Sequence, residues 1–198
     1  MAGMVFAILM GVAMGGCAVT QLTTHAVGIK PPLCQEQQTY KTALVLWGPA
    51  WRENQKEAAF REEMASRAIE RFFQDSSCYS KVEVLKSVAG RPAVGLSDAE
   101  ALQLAASLNS HYDKIIFVRV EELGPLVVIY LAPILWEGGT EVVLRVRVLH
   151  ADTSALETDI AIHWKKSGAF VLKGTKTLEQ DLQAALASAF GGNLHAAD

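Results

Sequence analysis

Two runs of β-branched residues, Lys114–Glu121 (KIIFVRVE) and Glu141–Leu149 (EVVLRVRVL), constrain this chain more than any other feature. Val and Ile are stiff at χ1, which disfavours a helix and suits a pleated, half-buried surface, so the two runs predict central strands of one sheet. Asp159–Trp164 (DIAIHW) alternates and reads as their half-buried neighbour, with hairpin turn chemistry at Ala151–Ser154 between them. Thr42–Trp47 (TALVLW), stopped by Gly48-Pro49, reads as a buried first strand. Lys81–Val88 reads as a second, followed by a loop through Gly90, Pro92 and Gly95.

Three helical patterns lie between and after these strands. Asn54 and Glu57 form a capping-box pattern ahead of Phe60, Met64, Ala68 and Phe72, which recur every four residues with Ala65, Ile69 and Phe73 in the adjacent row. The same helix carries Arg61, Glu62, Glu63, Arg67, Glu70 and Arg71, which the pattern assigns to a solvated face. Ser97 and Glu100 open a shorter helix with Leu102, Ala105 and Leu108 facing inward up to about Asn109. Thr177 and Gln180 open the last, with Leu178, Leu182, Ala185, Leu186 and Ala189 as its buried stripe and Gly191-Gly192 as its stop. The order β-α-β-α-β-β-β-α predicts an α+β fold with one mixed sheet of about five strands packed by three helices. It occupies a single domain over residues 39–192, with a disordered tail at 193–198.

Compartment is written at the amino terminus. An uncharged apolar run, Met4–Met14, ends in Gly15-Gly16 and Cys17. A spanning helix needs roughly 20 apolar residues, so the short run suits a lipoprotein signal peptide over residues 1–16, with Cys17 carrying the lipid. No Lys or Arg precedes the run, which points to a start upstream of Met1. The competing reading is an uncleaved helix to about Val19 with Cys17 a passive thiol. Residues 17–38 are small and polar and read as a flexible lipidated tether. The net charge of −3 arises from interspersed acidic and basic residues, with no footprint for nucleic acid. In an oxidising envelope compartment Cys34 and Cys78 form a disulfide, the alternative being two independent buried thiols.

The usual catalytic signatures are absent. There is no GxSxG elbow, Walker loop, dinucleotide fingerprint, HExxH or close Cys/His cluster. His25, His111, His150, His163 and His195 are scattered, and the one tempting carboxylate pair, Glu121-Glu122, reads equally as a solvated strand end. The expectation is a non-enzyme with no metal and no cofactor. What does ask for an explanation is Leu123–Trp136 (LGPLVVIYLAPILW), apolar almost throughout and broken by Pro125 and Pro133. It is either a buried strand continuing the sheet through Leu126–Leu131, or an apolar hairpin offered to a partner or a membrane surface. In the second case Leu126, Val128, Tyr130, Leu131, Ile134, Leu135 and Trp136 make the contact, and Trp47 and Trp51 extend it. The tryptophans also fit a plainer role as aromatic caps over the ends of the core.

The element order and the segment Leu144–Thr158 (LRVRVLHADTSALET) resemble periplasmic lipoprotein domains related to the curli secretion channel subunit, to the amino-terminal domain of TolB and to the lipoprotein activators of cell-wall synthases. In those domains a basic β-branched strand enters an Asp-x-x-Thr-Gly turn and returns as a hairpin. Arg145, Arg147, Asp152 and Thr153 match loosely, with Ser154 and Ala155 where the glycine is expected. The resemblance spans about Thr39 to Phe190 and implies a mixed sheet without cofactor or catalysis, in proteins that assemble with envelope machines or as rings of themselves. Ala18, rather than aspartate, after the cysteine implies outer-membrane sorting.

The sequence therefore predicts an outer-membrane-anchored lipoprotein facing the periplasm, a non-catalytic assembly or accessory component of an envelope secretion or export complex. Its partners would be outer-membrane lipid through Cys17, an envelope protein complex and further copies of itself, with no nucleic acid. A carrier holding an apolar small molecule between sheet and helices is the alternative, and an envelope hydrolase with a noncontiguous site a third.

Overall fold

The computed structural model describes residues 18–28, 32–34, 41–53, 55–108, 110–129, 136–169 and 177–191. Eight strands and three helices follow one another as β1 (Val19–Gly28), β2 (Thr42–Pro49), α1 (Ala58–Asp75), β3 (Lys81–Leu85), β4 (Ser87–Val88), β5 (Arg91–Pro92), α2 (Asp98–Ser107), β6 (Lys114–Ile129), β7 (Trp136–His150), β8 (Leu156–Ala169) and α3 (Leu178–Phe190). Six strands form one mixed sheet in the order β1-β8-β7-β6-β2-β3, and β4-β5 is a separate two-stranded piece. β2 runs parallel to both β3 and β6, while β6, β7, β8 and β1 are antiparallel in turn.

That order dictates where the helices go. β3 and β6 flank β2 on opposite sides, so two right-handed crossovers must place α1 and α2 on opposite faces. Alternation along β2 follows suit. Ala43, Val45 and Trp47 face α1 and α3, whereas Leu44 and Leu46 face α2. The larger core lies on the α1/α3 face and takes Ile116, Val118, Val120, Leu144, Val146, Ile160 and Ile162 from the antiparallel strands. Phe72, Phe73 and Phe190 close it with ring centroids 5.2–5.6 Å apart.

Several expectations need correction. The sheet has six strands because residues 19–28, read as tether, form β1 along the edge of β8. The following chain is also fixed: Leu33 is buried, and the amides of Leu33 and Cys34 donate to the carbonyls of Ala189 and Phe190 at 3.0 and 2.6 Å. Lys81–Val88 breaks into β3 and β4. Helix α1 starts at Ala58 with Glu57 itself at the N-cap in a left-handed conformation (φ 54°) and no side-chain cap, so the Asn54–Glu57 box is not what opens it. Asn54 lies outside the described residues. The Ser97–Glu100 box forms as expected, with both reciprocal bonds present. α3 buries Leu178, Leu182, Ala185, Leu186 and Ala189 and stops at Gly191 (φ 70°), though Thr177 makes no side-chain cap bond.

Candidate interaction surface

Register across the sheet brings the two most informative sequence features to one end of the molecule. Val19 pairs with Ser167, Ser167 with Gly139 and Gly139 with Leu126, so a single row crosses β1, β8, β7 and β6. Cys17 precedes this row by two residues, a reach of at most about 7 Å. The β6–β7 ladder continues past it to the Ile129–Trp136 pair, about 10 Å further along the strands. There residues 130–135 (YLAPIL) connect the two strands. The predicted lipid site and the apolar connection therefore leave the sheet at the same end.

Among the described residues no strand pairs with β6 on the β2 side beyond Val120, and the base of this distal half is pinned by charge. β2 ends at the Pro49–Val120 pair, with the Ala50 amide donating to the Val120 carbonyl at 2.8 Å. The register then slips at Glu121, a bulge that sharpens strand twist. Beyond it, Nη1 of Arg61 on α1 donates to the carbonyl of Leu123 at 2.6 Å and to Oε1 of Glu122 at 3.1 Å, and Nε2 of Gln55 donates to the same Oε1 at 3.0 Å. A guanidinium thus occupies the place where a further strand would have offered a donor. Gly124 permits it: a Cβ there would lie 1.8 Å from Nη1 of Arg61. Pro125 is tolerated in β6 because, among the described residues, only β7 pairs with it at this level. On the other side of the arm Gly139 lets β7 and β8 close up, since a Cβ would meet the Lys166 carbonyl oxygen at 2.2 Å. Glu137 bonds Ser167 and pairs with Lys165 at 3.0 Å.

No protein-family model and no curated protein sequence matches the chain. Among solved structures it is similar to the PelC dodecamer from Paraburkholderia phytofirmans, with 16% identity over 85% of this chain and 96% of that one and a TM-score of 0.47. Lipoprotein GNA1162 from Neisseria meningitidis is 12% identical over 73% of this chain and 94% of its own, TM-score 0.45. The hypothetical protein CT253 from Chlamydia trachomatis is 13% identical over 75% and 94%, also at 0.45.

Opposite α1 and α3, the sheet face formed by β6, β7, β8 and β1 beyond α2 carries polar pairs instead of a core. Arg145 grips Asp159 through two bonds of 2.7 Å, which raise the arginine's pKa further. Arg147 reaches Asp98 at the start of α2 at 2.8 and 3.0 Å while lying over the Phe117 ring. His163 contacts Glu141 at 2.7 Å. Asp152 and Thr153 lie in the β7–β8 turn, where the His150 amide bonds the Ala155 carbonyl and Ser154 takes φ 58°. Of the residues that carried the family resemblance, Arg145 thus ties β7 to β8, Arg147 ties β7 to α2, and the Thr153 hydroxyl accepts from the Ala155 amide in the turn. At the opposite end from the hairpin, burial and a bond to Glu83 push the Tyr112 hydroxyl up to about 12. Burial of Asp113 works against ionisation, but the Thr42 amide and hydroxyl outweigh it and hold the carboxyl below its usual range.

Of the expected contact residues, Trp47 is 1% exposed and belongs to the core face of β2, so it is a packing residue and not part of an outer surface. Trp51 packs partly against the same core, and its buried Nε1 has no hydrogen-bond partner in the structure. Leu126, Val128 and Trp136 lie on the ladder of the arm, so strand pairing with β7 continues to Ile129, with Val127 58% exposed. Tyr130, Leu131, Ile134 and Leu135 lie outside the described residues, as does Cys17. Cys34 and Cys78 form a disulfide, with Cys78 buried. Glu122, half of the suspected carboxylate pair, is bound to Arg61, while Glu121 is half-buried and lies 3.7 Å from Arg119. Helical phase assigns Arg61 to the solvated face of α1, whereas the structure buries it beside Glu122 and the Leu123 carbonyl. Among the described residues no group of three or more His, Cys, Asp or Glu could hold a metal, and no helix is long and apolar enough to cross a membrane.

Proposed function

We propose that this chain is an outer-membrane-anchored lipoprotein that works by binding, as a non-catalytic assembly or accessory component of an envelope secretion or export complex. One observation carries the reading. The row Val19–Ser167–Gly139–Leu126 lies at the end of the sheet from which the chain continues to residue 17 and to residues 130–135, so a lipid on Cys17 would bring the YLAPIL segment near the surface that holds the lipid. A peptide of that size is too short to span as a helix but is suited to shallow insertion or to a membrane-embedded partner. The Cys34–Cys78 disulfide fits an oxidising compartment outside the cytoplasm. Confinement to a bilayer raises the effective concentration for any partner in the same membrane.

Gentle solubilisation of membranes followed by affinity purification tests the role. The reading expects a stable large complex that contains this chain and is weakened when Leu131 and Leu135 are both changed to Asp. A lone monomer, or a complex indifferent to those substitutions, counts against it.

A further inference from the structure

Strand β1 is held differently from every other long element of the sheet. Nine of its ten residues are exposed, with Val27 at 71%, and its burial pattern shows no inward face. β2, by contrast, buries six of its eight residues. Only Ala26 of β1 packs against the core, and a groove of about 1030 Å³ runs over both faces of the strand, lined by Leu22, Thr24, His25, Arg145, Ala161 and Ser188 among others. Removing β1 would leave Ile160, Ile162 and Trp164 of β8 on their own side of the sheet, in the core shared with α3. Among the described residues, what holds β1 is chiefly the main-chain ladder to β8, with a side-chain bond from the Thr158 hydroxyl to the Val27 carbonyl at 3.2 Å. Elements with little apolar burial open at free energies well below that of global unfolding.

The chain is firmly fixed again at Leu33 and Cys34, through two main-chain bonds to the end of α3 and the disulfide to Cys78. From this contrast we infer that β1 is a detachable strap: it peels from β8 while the rest of the domain stays folded, and Cys34 marks where the loosened chain ends. Docked, the strap holds the sheet within about 7 Å of residue 17. Released, the 15 residues from Ala18 to Pro32 reach up to about 50 Å. The polar, small composition of the strap, which suits a tether as well as a strand, is what such a two-state segment requires. Its use as a leash rests on acylation of Cys17, whereas the opening itself does not.

Hydrogen exchange on the full-length chain in detergent micelles decides the matter whatever the state of Cys17. Amides of residues 19–28 should lose protection at least a hundredfold faster than those of residues 115–120. A second variant, Thr23→Cys with His163→Cys, joins directly opposed positions of the β1–β8 ladder by a disulfide. Locking should slow exchange in 19–28 by at least tenfold and leave residues 115–120 unchanged. Equal protection of the two segments in the parent, or loss of protection in 19–28 only together with the whole domain, overturns the inference.

Discussion

Replacing Arg61 by Met tests whether one buried cation fixes the base of the hairpin arm. The side chains of Arg61 and Glu122 are only 10% and 13% exposed, so solvent screens the pair weakly. Breaking such a pair by removing one partner costs about 3–5 kcal/mol, because the remaining charge stays desolvated. Two features set the expected value at the lower end. Gln55 keeps its bond to Glu122, and Nε of Arg61 has no acceptor among the described residues, so Met gives up nothing to them there. The Leu123 carbonyl, on the other hand, loses its donor. We expect a loss of about 3 kcal/mol, which for a domain of this size lowers Tm by about 6–12 °C. Urea unfolding with the disulfide intact, followed by tryptophan fluorescence and far-UV circular dichroism, gives the number. In the double variant Arg61→Met with Glu122→Gln the cost should shrink, with a coupling energy of about 1–3 kcal/mol. A loss under about 1 kcal/mol for Arg61→Met alone refutes the reasoning, since the arm would then be held by its ladder.

Other consequences are equally direct. Changing Cys34 and Cys78 to Ala removes a cross-link between residues 44 apart in sequence, which the chain-entropy estimate values at about 4 kcal/mol; the denaturation midpoint should fall accordingly. Gly139→Ala should destabilise by more than Gly124→Ala in the same assay, because its Cβ meets the β8 backbone whereas that of Gly124 meets the end of an arginine side chain. Asp113 has a depressed pKa when folded, so its contribution is complete above the ordinary carboxylate value and disappears as pH falls through the lower folded one. Stability measured downward from pH 5 should therefore fall less steeply in Asp113→Asn than in the parent.

Much of this fold is legible in the residues, and the exceptions share a cause. The Val- and Ile-rich runs became β6 and β7 because burial on at least one face imposes the period of a strand. β1 escaped notice because neither of its faces is buried, so nothing selects alternating apolar residues, and VTQLTTHAVG reads as linker. Arg61 was misassigned because helical phase alone puts charge outside. Phe60 takes the rim of α1 at 38% exposure while Arg61 goes inward, since only a donor can satisfy the Leu123 carbonyl at the free edge of β6. No local pattern records that β6 continues through Pro125 to Ile129; among the described residues it pairs there with β7 alone, which leaves the proline's missing donor unneeded.

The account depends most on the chemistry at Cys17. Feeding cells an alkyne-labelled fatty acid and comparing the parent with Cys17→Ser, by label incorporation and by membrane fractionation, addresses it without any assumption about partners. Label in the parent alone, with the variant released from the outer-membrane fraction, is the predicted result. An unlabelled parent, or a variant that fractionates like the parent, contradicts it.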